Sequence, residues 1–196
     1  MDNRNMAYRA RMLLAKAMAD PRAAQVLSRM STERRQLFEQ SVDTAYLAAQ
    51  IAEVMGYKAD PLELVTAALV HDAGMLAVPD EIFLKRDRLS PDEKQVIRGH
   101  VGHGLSMLRG LGFSDLVLDV AGRHHERSDG SGYPDGLESP SIPRAAKIVM
   151  VCDVYGALTS DRPQRKAFNM YEAVSMMSSM PLSMATLQAI KRCDDR

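Results

Sequence analysis

The chain has no tryptophan, and aromatic residues make up only 5% of its 196 positions. That scarcity argues against a stacking platform for single-stranded nucleic acid. There is no excess of either charge, with 25 basic against 25 acidic side chains. A balanced chain throws no whole-protein field toward nucleic acid or an acidic membrane, so an anionic ligand has to be caught locally. No apolar run approaches the roughly 20 residues that a membrane helix needs. The first residues scatter Arg4, Arg9, Arg11 and Lys16, and lack the charged start and apolar block of a secretory leader. Cysteine is limited to Cys152 and Cys193, far apart and in no paired metal or redox motif. Two lone thiols fit a reducing compartment, and a cytoplasmic protein is the expectation.

What is present is a chain long enough for one domain, 46% hydrophobic, able to bury a core. Its punctuation is helical. Asp20-Pro21 and Asp60-Pro61 each set a capping carboxylate before a proline suited to the first helical position. Glu63 and Glu93 add the reciprocal half of a capping box after Asp60 and Ser90. Between Thr32 and Met55 the apolar residues Leu37, Ala45, Ala48, Ile51, Ala52 and Met55 fall at helical spacing, and Gly56 sits where that helix would end. Further helices are expected at about 5–19, 62–72, 91–111, 114–124, 143–160 and 170–179. Ile148 to Val151 is the best strand-like run, inside one of these helices. Residues 1–30 read as a helical extension of one or two short helices, either core padding or a docking element, and 31–196 as the main domain. Met176, Met177, Met180 and Met184 suit either core or interface. Lys191 to Arg196 reads as an exposed charged tail.

All five histidines lie between positions 71 and 125. Singly, each serves more often in packing or at the surface. Clustered with carboxylates, they suit a divalent metal drawn from several helices. His71 and Asp72 are neighbours, so on a regular helix they point about 100° apart. They share a site only at a helix end or bend, and Gly74 permits one. His100 and His103 lie one turn apart on the next helix, with His103 read as a solvent-facing or outer residue. His124 and His125 end another helix. Asp153, in an apolar neighbourhood, needs a metal or cationic partner to be buried there. The long irregular piece from Glu126 to Ile142 follows, with Gly130, Gly132, Tyr133, Pro134 and Gly136. Loops of that length carry function or disorder.

These residues in this order resemble the HD-GYP family of metal-dependent phosphodiesterases, over about Thr32 to Met180. His71-Asp72 matches the HD pair. His124-His125-Glu126 with Asp129 to Pro134 matches the GYP signature in spacing and type. Val78-Pro79, Ile82 to Lys85 and the stretch from Asp153 through Pro163 resemble the segments that follow. The resemblance implies an all-α HD-domain helical bundle with a long glycine-rich GYP loop. It implies that His71, Asp72, His100, His124, His125 and Asp153 hold two divalent metal ions, with Asp72 the bridge. Iron or manganese is favoured among ions that imidazole and carboxylate accept, with nickel or zinc the alternatives. The implied reaction opens cyclic di-GMP to pGpG or GMP in bacterial second-messenger signalling. Its nucleophile would be a metal-bridging hydroxide, with His71 and Asp72 at the reacting centre. Two cations roughly 4 Å apart can deprotonate water near neutral pH and offset the phosphodiester's charge. Tyr133 and Gly132 would line the guanine-nucleotide pocket, and Arg162 and Arg165 would meet the phosphates. A sensory, receiver or diguanylate-cyclase protein is the expected kind of protein partner, with no nucleic acid and no membrane.

Two positions depart from the family. Its ligand set starts with a histidine on the helix before the HD pair, and this chain has none before His71. Counting back from Gly56 puts Gln40 there; counting back from His71 puts Glu39. The HD pair is usually followed by glycine and lysine, whereas here Gly74 precedes Met75. Losing that ammonium removes charge stabilisation worth about a hundredfold in rate. The departures leave an alternative: a degenerate HD-GYP module that binds cyclic di-GMP or a partner protein without turnover.

Overall fold

Three prolines open three helices of the protein, and each does so behind a side-chain cap. Asp20 accepts the amides of Arg22 and Ala23 at the start of α2 (Pro21–Glu33), and Asp60 accepts that of Leu62 at the start of α4 (Pro61–Val70). Ser90 and Glu93 form a complete capping box on α6 (Pro91–Arg98). A proline at the first helical position loses nothing, because its missing N–H has no partner there in any case. The computed structural model describes residues 3–161 and 165–193.

The remaining helices are α1 (Asn3–Met18), α3 (Arg35–Val54), α5 (Asp80–Phe83), α7 (His100–Gly110), α8 (Asp115–Arg123), α9 (Arg144–Thr159), α10 (Met170–Ser178) and α11 (Met184–Cys193), with a 3-10 helix over Ala73–Ala77. No strand occurs among the described residues; one isolated bridge joins Asp129 to Glu138. The architecture is the expected all-α bundle.

The longest helix, α3, is its axis. It packs against α4, α9, α1, α2 and α11. Its buried face is mostly small, with Ala45, Ala48, Ala49 and Ala52 around Ile51, which lets neighbouring helices approach closely. Helix α4 is buried from Leu64 to Val70, as expected of a helix apolar on every side. Helix α9 buries Ala145 to Cys152 except Lys147, and the strand-like run Ile148 to Val151 lies within it. Helices α1 and α2 share this core: Met6, Ala10, Ala17, Ala23, Val26, Leu27 and Met30 are all buried.

Three local features differ from the expectation. The helix expected over 91–111 is interrupted at Gly99, and the Ile97 carbonyl accepts from the His100 imidazole. Helix α4 stops at Val70, so His71 and Asp72 fall at its end, where adjacent side chains can converge. The charged ending is not all tail: Lys191, Arg192 and Cys193 form the last turn of α11, with Cys193 buried against the core. Arg196 lies outside the described residues. Of the methionines, Met177 is buried, while Met176 and Met184 are exposed.

Candidate metal centre

Three helix ends converge on one carboxylate. His71 caps the C-terminus of α4, His100 follows the C-terminus of α6, and His124 caps that of α8. Each folds its ring back onto the last turn behind it. Nδ1 of His71 lies 2.8 Å from the Ala68 carbonyl, that of His100 2.6 Å from Ile97, and that of His124 3.0 Å from Ala121. A carbonyl only accepts, so each Nδ1 carries the proton and, in a neutral ring, Nε2 keeps its lone pair. The same carbonyls are unpaired at any helix end, and the negative ends of the helix dipoles favour a cation beside them.

The freed Nε2 atoms face Asp72. Its Oδ1 is 3.3 Å from Nε2 of both His100 and His124. Its Oδ2 is 3.4 Å from Nε2 of His71. Ligands about 2.1 Å from a shared ion lie at about this spacing from one another. Two groups of donor atoms result: Asp72 with His100, His124 and His125, and His71 with Asp72 and Asp153. Asp72 belongs to both, through different oxygens. His71 Nε2 and Asp72 Oδ1 are buried with no hydrogen-bond partner. Orphaned buried polar atoms are expensive, and here they point at each other's neighbours across a gap suited to a cation. The donor set of imidazole and carboxylate therefore fits divalent ions.

The electrostatics follow. Burial would raise the Asp72 carboxyl, but the close imidazoles of His71, His100 and His124 hold it well below the usual carboxylate range. Burial would lower the His71 imidazole, but Asp72 and Asp153 outweigh it and hold it well above its ordinary value. For His100 the nearby Asp72 carboxylate likewise overcomes burial and raises the imidazole. His124 and His125 are pushed down, burial being the main cause in both. Neutral imidazoles are what a metal requires.

Gln40 reaches this site, and Glu39 does not. The Gln40 amide donates to Asp153 Oδ1 at 2.6 Å, while the exposed Glu39 pairs with Arg35 at 2.9 Å on the outer face of α3. Gln40, Met75, Asp72, His125, Tyr133 and Asp153 line one cleft of 670 Å³. His103 is exposed and belongs to neither donor group.

The glycine loop is held from below. Glu126 is fully buried, and its two carboxylate oxygens accept the amides of Asp135 at 2.8 Å and Leu137 at 2.9 Å. Sequence reasoning gave Glu126 no role of its own. Its signal was a carboxylate opening a loop whose backbone amides need acceptors. The far side of the loop docks on the turn after α10, where Ser128 donates to the Pro181 carbonyl at 2.9 Å. Gly132 sits against the chain it came from: a Cβ there would lie 2.4 Å from Arg127 N and Glu126 Cα. Its contribution is close approach. Tyr133 donates its amide to the His125 carbonyl at 3.2 Å, and its ring stacks on the His125 ring at 4.6 Å. Gly74 has a comparable task, because a Cβ there would lie 1.9 Å from the His100 carbonyl. It lets the 3-10 helix press against α7 and brings the HD pair to His100.

Arg165 is not brought to the cleft. It donates to the carbonyls of Leu158 and Lys166, at 2.9 and 3.0 Å, and to that of Ala157, and it lies over the Phe168 ring. Arg162 lies outside the described residues.

Residues 14–184 match the HD domain family. The chain belongs to that family. The His124 to Pro134 signature puts it among the HD-GYP members. It is 40% identical over 167 residues to a cyclic di-GMP phosphodiesterase of Pseudomonas aeruginosa, covering 84% of this chain and 40% of the relative. It is 40% identical over 136 residues to a cyclic di-GMP phosphodiesterase response regulator of Xanthomonas campestris, covering 68% and 36%. The chain thus spans about two fifths of these relatives' length or less. Among solved structures, an HD-GYP-type protein of Bdellovibrio bacteriovorus shares its fold with a TM-score of 0.70 at 18% identity, over 97% of this chain and 64% of that one. The HD domain of a Listeria monocytogenes phosphodiesterase, solved with cyclic-di-AMP, gives 0.65 at 16% identity, over 86% and 92%.

Proposed function

We propose that this HD-GYP domain is a metal-dependent phosphodiesterase that opens cyclic di-GMP to pGpG or GMP. The observation that carries the reading is Asp72, whose two oxygens face two different donor groups. His100, His124, His125 and Asp72 would hold one divalent ion; His71, Asp72 and Asp153 would hold the second. Bound there, such ions lower the pKa of water and offset the charge of a phosphodiester. Iron or manganese is favoured, with nickel or zinc the alternatives.

The chain's own residues do the positioning. The helix-end carbonyls orient three imidazoles through Nδ1, as outer partners of metal ligands do. The cleft of 670 Å³ is of the size that small ligands occupy. Tyr133 forms one wall of this guanine-nucleotide pocket, and Gly132 keeps the loop close to the site. Relatives named for cyclic di-GMP support the substrate. The wider class of cyclic dinucleotides is supported by a Vibrio cholerae phosphodiesterase named for 3'3'-cGAMP, 35% identical over 141 residues.

We read residues 1–30 as an N-terminal helical extension built into the core of the 31–196 domain. A sensory, receiver or diguanylate-cyclase protein is the kind of protein partner this reading calls for. Cys152 and Cys193 form no disulfide, which fits a cytoplasmic setting. No helix among the described residues is long and apolar enough to cross a membrane.

The test is hydrolysis of cyclic di-GMP by protein loaded separately with iron(II), manganese, nickel and zinc, with Asp72→Ala as control. Turnover with one or more metals, lost in the control, is the expected result. No turnover from folded, metal-loaded protein overturns the reading.

A further inference from the structure

A phosphodiesterase of this type has to hold a doubly anionic substrate, and most of the cations around the cleft are already engaged. The Lys85 ammonium donates to both oxygens of Glu93, at 2.6 and 2.8 Å. Arg34 donates to the Val78 carbonyl at 3.0 Å and pairs with Asp80. Arg127 donates to the Glu126 carbonyl at 2.8 Å. Arg165 is spent on the end of α9. Position 75, next to the HD pair, carries a thioether and no charge.

Arg98 is different. It is the last residue of α6, two positions before His100, and it is exposed. Its guanidinium carbon lies 4.9 Å from the centre of the Tyr133 ring, the ring that stacks on His125 and lines the cleft. It makes no hydrogen bond or ion pair with any described residue. At an exposed site the attraction of the ring is modest, but it biases the guanidinium toward a position over Tyr133. The result is an unpaired fork of donors beside a ring that lines the cleft. It matches a phosphate oxygen pair, as bidentate arginine contacts do.

We propose that Arg98 binds a phosphate of the cyclic dinucleotide while its place over the ring keeps Tyr133 on His125; this rests on the phosphodiesterase reading above. Arg98 is thus a substrate-binding and positioning residue that neither the GYP loop nor the metal ligands account for. It supplies from α6 the charge that Met75 does not.

The test compares wild type, Arg98→Met and Arg98→Lys, all metal-loaded. Binding of a hydrolysis-resistant phosphorothioate analogue of cyclic di-GMP is measured by calorimetry across a salt series. Metal content and melting temperature are recorded beside it. Methionine covers the ring without charge; lysine restores charge without the fork. Arg98→Met should weaken binding about tenfold or more and flatten its salt dependence, with metal content and melting unchanged. Arg98→Lys should recover the salt dependence and only part of the affinity. Wild-type affinity in Arg98→Met overturns the assignment and leaves the phosphodiesterase reading standing. Weakened binding with an unaltered salt dependence also overturns it, because Arg98 then acts only through packing on Tyr133. A wild type that binds metal but not the analogue overturns both.

Discussion

The Gln40 amide nitrogen lies 2.6 Å from Asp153 Oδ1, across the donor group that Asp153 forms with His71 and Asp72. An N–H pointing at a carboxylate oxygen competes with a cation for the same lone pairs. The other group, Asp72 with three imidazoles, meets no such competitor. The two positions should therefore fill unequally, the His100–His124–His125 position first. Replacing Gln40 with histidine adds a ligand and removes the competing donor. Gln40→His should tighten the second equivalent about tenfold or more. Metal content after dialysis and calorimetric titration check this; two equal equivalents in wild type, unchanged in Gln40→His, would refute it.

Metal uptake should also release protons. Asp72 and Asp153 hold the His71 imidazole well above its ordinary value, so near neutral pH the metal-free ring keeps a proton that a ligand cannot keep. The sign is fixed: acidification favours the protonated ring and weakens binding, and rising pH strengthens it until the ring is neutral. Titrations at about pH 6 and about pH 8, in buffers of different ionisation heat, should show weaker binding at the lower pH together with buffer-dependent heats. Buffer-independent heats would rule the linkage out.

Removing the Glu126 carboxylate strands two amides, those of Asp135 and Leu137. Asp135 is exposed and Leu137 half-buried, so water reaches the stranded donors in part, and Glu126→Ala should lower stability by about 1–3 kcal/mol. Gly132→Ala acts more locally, because its Cβ would meet the backbone of Glu126 and Arg127. It should raise KM more than it lowers the melting temperature. Thermal unfolding and steady-state kinetics, run on both variants, separate the two effects.

Far from the site, Asp20 caps α2 and pairs with Arg22 at 2.7 Å. The bond from Arg22 holds its carboxyl at about 2, down from 3.8. A depressed carboxyl stabilises above the unfolded value and loses that contribution as pH falls through the folded one. Asp20→Ala should cost about 1 kcal/mol at neutral pH. The gap from wild type should close between 3.8 and about 2, and salt should narrow it because Arg22 is half exposed. Denaturant unfolding across that range measures it.

Much of the fold was legible because its cues are local. Asp20-Pro21, Asp60-Pro61 and Ser90-Pro91 start helices wherever the rest of the chain goes. The α3 pattern that ends at Gly56 likewise needs only its own periodicity. The break at Gly99 and the whole of α11 escaped, since a helical pattern does not say where a neighbouring group captures a carbonyl or which short segment the core will order. In the site, the sequence showed which residue types were available and in what order. It left Gln40 and Glu39 open, because two adjacent residues differ only in which way the helix is turned against α9. It offered Arg165 to the phosphates, whereas that guanidinium donates to the carbonyls of Ala157 and Leu158 at the end of α9. It passed over Arg98, whose meaning lies entirely in a ring 35 positions away.

By itself, then, the sequence determined a helical HD-type bundle, a histidine–carboxylate cluster and a glycine loop, because caps, periodicity and residue chemistry act within a few positions. Tertiary structure alone decided which oxygen of Asp72 faces which imidazoles, that Gln40 takes Asp153, and that Arg98 rests on Tyr133. Apart from the adjacent His71–Asp72 pair, those relations join residues 28 to 113 positions apart. Only the packing of α3, α4, α8 and α9 around one core brings such residues within a few ångströms of each other.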